Sequence, residues 1–185
     1  TFAQPFNATP LVIASPGQYA VIVSPYPVIT RVFDVTKEGF KVILLRQSGV
    51  TATSVRSCDV SYVAIERGQT LDGSGHVVTV RDTTITFTST LTNYKFFYGN
   101  DDLLANPKVL VQMQSYDVPC YSVLRTYGTG PTEYYHRVRL QTDDTNAEYG
   151  TVSSTKKYTE RVGYIVVSDE DGSVTTGIRN VAATP

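Results

Sequence analysis

The chain has no tryptophan, one methionine, two cysteines and two histidines in 185 residues. Each shortage removes a class of chemistry. Without tryptophan, stacking on a flat ligand falls to tyrosine and phenylalanine. Cys58 and Cys120 stand far apart and form no CxxC or Cys/His ligand spacing with His76 or His136, so no zinc site is expected. The two cysteines remain open to two readings, one disulfide joining two halves of the chain or two separate buried thiols. No apolar run approaches the roughly 20 residues that cross a bilayer, so no membrane insertion is expected. Charge is nearly balanced, with 16 Lys plus Arg against 17 Asp plus Glu, and no basic run supplies the electrostatic footprint for nucleic acid. No stretch of about a dozen residues sustains an apolar i, i+3, i+4 stripe, which limits any helix to a single turn.

What is abundant points the other way. Thirteen Tyr, thirteen Gly and nine Pro, together with many Thr and Val, suit pleated half-buried surfaces joined by turns. The fold class read from this is all-β. Alternating or short apolar runs occur at Leu11–Ala14, Tyr19–Val23, Val28–Val35, Phe40–Leu45, Val60–Ile65, Val77–Val80 and Ile85–Phe87, and resume at Tyr94–Phe97, Val109–Met113, Tyr121–Tyr127, Arg137–Gln141 and Tyr164–Val167. Turn residues punctuate them, among them Ser15-Pro16-Gly17, Lys37-Glu38-Gly39 and Gly128-Thr129-Gly130-Pro131. The chain opens on Thr1 rather than Met, which reads as a processed chain or a fragment.

The runs repeat. "PLVIASPGQY" from Pro10 aligns without a gap on "PKVLVQMQSY" from Pro107. "DVSYVAIERG" parallels "RVGYIVVSDEDG", with Tyr62 over Tyr164. Between these anchors "VFDVTKEGFKVILLR" matches "TYGTGPTEYYHRVRLQT", whose hairpin loop is one or two residues longer. The expected organisation is therefore a tandem duplication of small antiparallel β-sandwiches. Residues 1–70 form the first copy, 71–98 a strand-containing connector that helps complete the sheets, and 99–185 the second copy.

The first copy resembles the H-type lectins, the snail-agglutinin family, in a proline followed by an apolar strand, then "ITRVFDVTKEGFKV", then "VSYVAIE". Gly39-Phe40-Lys41 and Arg31 are the most distinctive matches. The resemblance implies a six-stranded antiparallel β-sandwich, assembly as a trimer, secretion or surface display, and N-acetylgalactosamine-type sugars bound near the interface between neighbours. The positions where sugar-binding members carry an aromatic and a histidine hold Gln47 and Ser48 here, and Pro27 stands where they carry a sugar-contacting arginine. In the second copy the same strand end is Asp143-Asp144.

Sugars bind to aromatic faces and to polar groups that fork onto hydroxyl pairs. The candidate binding residues are Arg46, Gln47 and Ser48 at the end of the first hairpin, Asp143 and Asp144 at the end of the second, and Tyr134. Tyr134 belongs to a set of strand-end and loop tyrosines with Tyr19, Tyr26, Tyr98, Tyr116, Tyr127, Tyr135 and Tyr149. The ordinary alternatives are a solvated strand end, an acidic turn and edge packing. Catalysis finds no footing: Asp72, Ser74 and His76 are close only in sequence and make no GxSxG elbow, and His136 runs in phase with apolar Val138 and Leu140, as a packed core histidine does. Two functions follow. One is a non-enzymatic module that binds cell-surface glycans without a cofactor, and the other is an assembly module of a phage tail fibre or adhesin tip whose sugar site has been lost.

Overall fold

The computed structural model describes residues 1–19, 28–46, 58–71, 77–87, 93–98, 104–117, 122–126, 131–132, 134–142 and 158–168. These residues are all-β and antiparallel, with no helix among them. The strands are β1 (Leu11–Tyr19), β2 (Val28–Phe33), β3 (Lys41–Arg46), β4 (Cys58–Ile65), β5 (Gly68–Leu71), β6 (Val77–Phe87), β7 (Asn93–Phe97), β8 (Lys108–Met113), β9 (Ser122–Thr126), β10 (Tyr135–Thr142) and β11 (Tyr158–Val167). They form sheets in the orders β5-β6-β11-β8, β7-β10-β9, β1-β4 and β2-β3.

The layers follow from which face each strand makes apolar. Ile85, Phe87, Phe96, Met113, Val138, Leu140, Val162, Tyr164 and Val166 build the main core between the β5-β6-β11-β8 and β7-β10-β9 sheets. β11 is apolar on its other phase too, and Ile165 joins Leu11 and Val80 in a second core under the β1-β4 pair. This doubly covered strand accordingly reads as a nearly continuous apolar run, "VGYIVV". A third cluster of Val12, Ala14 and Val32 packs the β1-β4 pair against the β2-β3 hairpin.

The first and second halves of the chain pair their strands in corresponding registers. Ala14 lies opposite Tyr62 and Leu11 opposite Ile65 in the first half; Val111 lies opposite Tyr164 and Lys108 opposite Val167 in the second. Each of these pairs joins residues that the sequence alignment matches. The hairpins correspond as well, since β2 pairs with β3 and β9 with β10. Even the loop chemistry recurs: Thr36 Oγ1 accepts from the amides of Glu38 and Gly39, and Thr132 Oγ1 accepts from those of Tyr134 and Tyr135. In each case the threonine amide closes the turn onto a carbonyl, that of Gly39 or Tyr135. The 77–97 region adds a third strand to each second-half pair, β6 beside β11 and β7 beside β10.

The halves interlock through buried and partly buried polar groups. Gln112 on β8 and Gln114 just beyond its end act as a substitute strand for the free edge of β1: each side-chain amide accepts from and donates to one residue's backbone, Ala14 and Val12 respectively. The next position of that phase is Pro16, which has no amide hydrogen to satisfy. Arg31 and Glu160 form an ion pair at 3.0 Å with side chains 1% and 0% exposed. Ser115 Oγ donates to the other carboxylate oxygen, and Arg31 also donates to the Ser115 carbonyl. Asp82 takes Arg67 at 3.0 Å and Arg161 on its two oxygens, tying the end of the first half to β6 and β11. Gly163 lets Leu11 sit directly on β11, because a Cβ there would overlap the Leu11 δ-methyl and crowd Gln114.

Local punctuation is overridden in three places. Ser15-Pro16-Gly17, expected as a turn, stays within β1 as an irregularity between Pro16 and Tyr19, where pairing with β4 outweighs the turn propensity. The two runs expected at Val77–Val80 and Ile85–Phe87 are one strand, β6, held by a continuous register with β11. β2 ends at Phe33 instead of Val35 because Asp34 takes φ 50°, a left-handed conformation that Asp tolerates.

Candidate functional site

Tyr134 is the candidate binding residue whose side chain the structure describes, and it is 55% exposed. The Thr132 turn holds it at the start of β10. From there β10 alternates strictly. His136, Val138 and Leu140 point into the core, while Tyr135, Arg137 and Arg139 take the outward phase. β7 alternates in the same way, with Phe96 buried and Lys95 and Phe97 exposed, Phe97 at 64%. Register places Phe97 opposite Tyr135 and Lys95 opposite Arg137.

The outcome is an outward cluster of rings and cations. Phe97 and Tyr135 meet edge to face with ring centroids 5.8 Å apart. The Lys95 ammonium lies 4.8 Å and the Arg137 guanidinium 5.3 Å from the Tyr135 ring centre. Arg137 Nη2 also donates to the Tyr135 hydroxyl at 3.0 Å, which fixes the guanidinium beside the ring. Exposed rings next to fixed cationic donors can stack on an apolar ligand face and hydrogen-bond to its oxygens.

Other features resolve into scaffold. His136 is 2% exposed, packs against Phe96 and meets Thr126 Oγ1 at 3.2 Å through Nε2; burial lowers its pKa to about 4. Tyr98, one of the tyrosines considered for stacking, is instead 1% exposed, and burial raises its phenol pKa. Tyr116 lies half-buried beside Phe33 and Arg31. A cleft of about 240 Å³ opens at the seam of the halves near Ile29, Arg31, Val111 and Val123, below the roughly 300 Å³ at which ligand sites usually begin. Its Thr30 and Gln112 side chains bond to the backbone of Ala14. Among the described residues no three His, Cys, Asp or Glu side chains converge to hold a metal ion.

Arg46 ends β3 opposite Val28. Its side chain, together with Gln47, Ser48, Asp143 and Asp144, lies outside the described residues. Lys95, Phe97 and Arg137 were not singled out in the sequence. Their signal was present in the period-two pattern, because once His136 and Val138 are assigned inward, Tyr135 and Arg137 must point outward. Register with β7 was the missing link. Comparisons with protein-family models, curated proteins and solved structures found no match to this chain.

Proposed function

We propose that the chain is a non-enzymatic carbohydrate-recognition module, secreted or surface-displayed and working as a homotrimer, that binds glycans on cell surfaces. The observation that carries this reading is the outward cluster of Phe97 and Tyr135 flanked by Lys95 and Arg137, with Tyr134 exposed in the turn just before β10. The resemblance of "ITRVFDVTKEGFKV" to H-type lectins supports it independently. A rigid sheet presents the rings at little ordering cost, which favours a weak-ligand, many-copy binder. The test is a glycan array probed with the intact chain: a discrete set of glycans should be retained, and Phe97→Ala should lose most of that signal. An array on which no glycan is retained above background contradicts the proposal.

A second reading, an assembly module of a fibre or adhesin tip, has its own observation. β10 and β11 carry β7 and β6 on their far edges, whereas β3 and β4 have no such neighbour among the described residues. Val42 on β3 and Tyr62 and Val63 on β4 are 37%, 46% and 54% exposed, while the matching Val138, Tyr164 and Ile165 are 0%, 3% and 7%. Strand addition at such edges joins subunits. Sedimentation showing a stable oligomer that Tyr62→Lys dissociates, in a chain with no glycan binding, favours this reading over the first.

A further inference from the structure

We infer that the outer face of the β7-β10-β9 sheet selects acidic glycans, seating a sugar carboxylate or sulfate between Lys95 and Arg137 while Phe97 covers the sugar ring. The inference deepens the glycan-binding reading and rests on it. Strands "NYKFF", "SVLRT" and "YHRVRLQT" contain four cations and no carboxylate, in a chain whose total charge is close to zero. All four cations occupy the outward phase. The register then sets like against like, Lys95 opposite Arg137 and Arg139 opposite Arg125.

Directly opposed like charges weaken a sheet, so stability alone does not account for this arrangement. Arg125 and Arg139 have interactions of their own, so the unexplained opposition is that of Lys95 and Arg137. Lys95 and Arg137 are both held against the Tyr135 ring, which offsets part of their repulsion through cation–π attraction and fixes their separation. An anionic group placed between them cancels the repulsion and gains charge-assisted hydrogen bonds, with the guanidinium fork suited to two oxygens. The exposed Phe97 ring, edge to face with Tyr135, adds the apolar contact that a free anion does not use.

The experiment is calorimetric titration of the intact chain with matched oligosaccharides that are neutral, carboxylated or sulfated, and with polyglutamate. Acidic glycans should bind on the order of tenfold to a hundredfold more tightly than the neutral form, and the advantage should shrink as salt rises. The preferred acid identifies the anion. Lys95→Gln and Arg137→Gln should each erase the acidic preference, whereas Phe97→Ala should weaken neutral and acidic ligands alike. Because Lys95 is exposed and faces a like charge, Lys95→Gln should keep or raise the thermal midpoint while losing selectivity, a combination that general unfolding does not produce. Equal binding of neutral and acidic glycans, unaltered by either variant, overturns the inference and leaves the glycan reading intact. Binding of no glycan of any charge overturns both. Competition by polyglutamate as strong as that of the acidic glycan also overturns it, since the face then reads charge and not sugar.

Discussion

Glu160→Gln is the sharpest perturbation of the scaffold, because it keeps the side-chain shape and removes only the charge opposite Arg31. The two side chains are 1% and 0% exposed and meet at 3.0 Å, so water cannot replace the lost partner. Arg31 keeps its bond to the Ser115 carbonyl, which satisfies one hydrogen but not the charge. Breaking one side of such a buried pair costs about 3–5 kcal/mol, set against about 5–15 kcal/mol of total stability for a domain. With a urea slope of about 2–3 kcal/mol per molar, the unfolding midpoint should fall by roughly 1.5 M. Replacing both residues with methionine should recover most of the loss, since no uncompensated charge is left buried. The exposed Lys41–Asp34 pair, 2.8 Å long but with side chains 67% and 59% exposed, is the control, and Lys41→Met should cost under about 1 kcal/mol. If Glu160→Gln costs no more than that control, the buried interlock of the halves is refuted.

Three further changes probe the same scaffold by denaturant unfolding. Gly163→Ala should lose about 1–3 kcal/mol through overpacking, and adding Leu11→Ala, whose δ-methyl occupies the space, should not bring a fully additive loss. Gln114→Leu leaves the Val12 amide and carbonyl buried without partners and should cost about 2–4 kcal/mol. His136 titrates near 6.5 in the unfolded chain and at about 4 when folded, so the unfolded state takes up its proton first as pH falls. Its contribution to stability is complete above pH 6.5 and declines through the window down to pH 4, by up to about 3 kcal/mol; His136→Phe should flatten that window, and an unchanged pH profile in this variant contradicts the buried neutral assignment.

The sandwich scaffold was legible in the sequence wherever apolar alternation and chain proximity coincide. β2, β3, β7 and β8 were readable from their own residues, and the inward phase of His136 followed from Val138 and Leu140. The alignment of Tyr62 with Tyr164 anticipated two strand pairs with the same register. What escaped was non-local. Nothing near Ser15-Pro16-Gly17 announces that β4 carries β1 through it, and nothing near Arg31 names Glu160 as its partner. Nothing in the sequence marks Gln112 and Gln114 as partners of a backbone edge; that role exists only once β1 lies along them. For the site, Tyr134 and Tyr135 stood out as aromatic residues at a strand start, but Lys95 and Phe97 join them only through the register of β7 with β10.

The most direct test of the functional account is to label the chain isotopically, titrate it with a retained acidic glycan, and map the amide and side-chain shifts by NMR. The account predicts that the largest shifts cluster on Lys95, Phe97, Tyr135 and Arg137, on the outward phases of β7 and β10. Saturable shifts confined to other surfaces, with these four residues unmoved, contradict it.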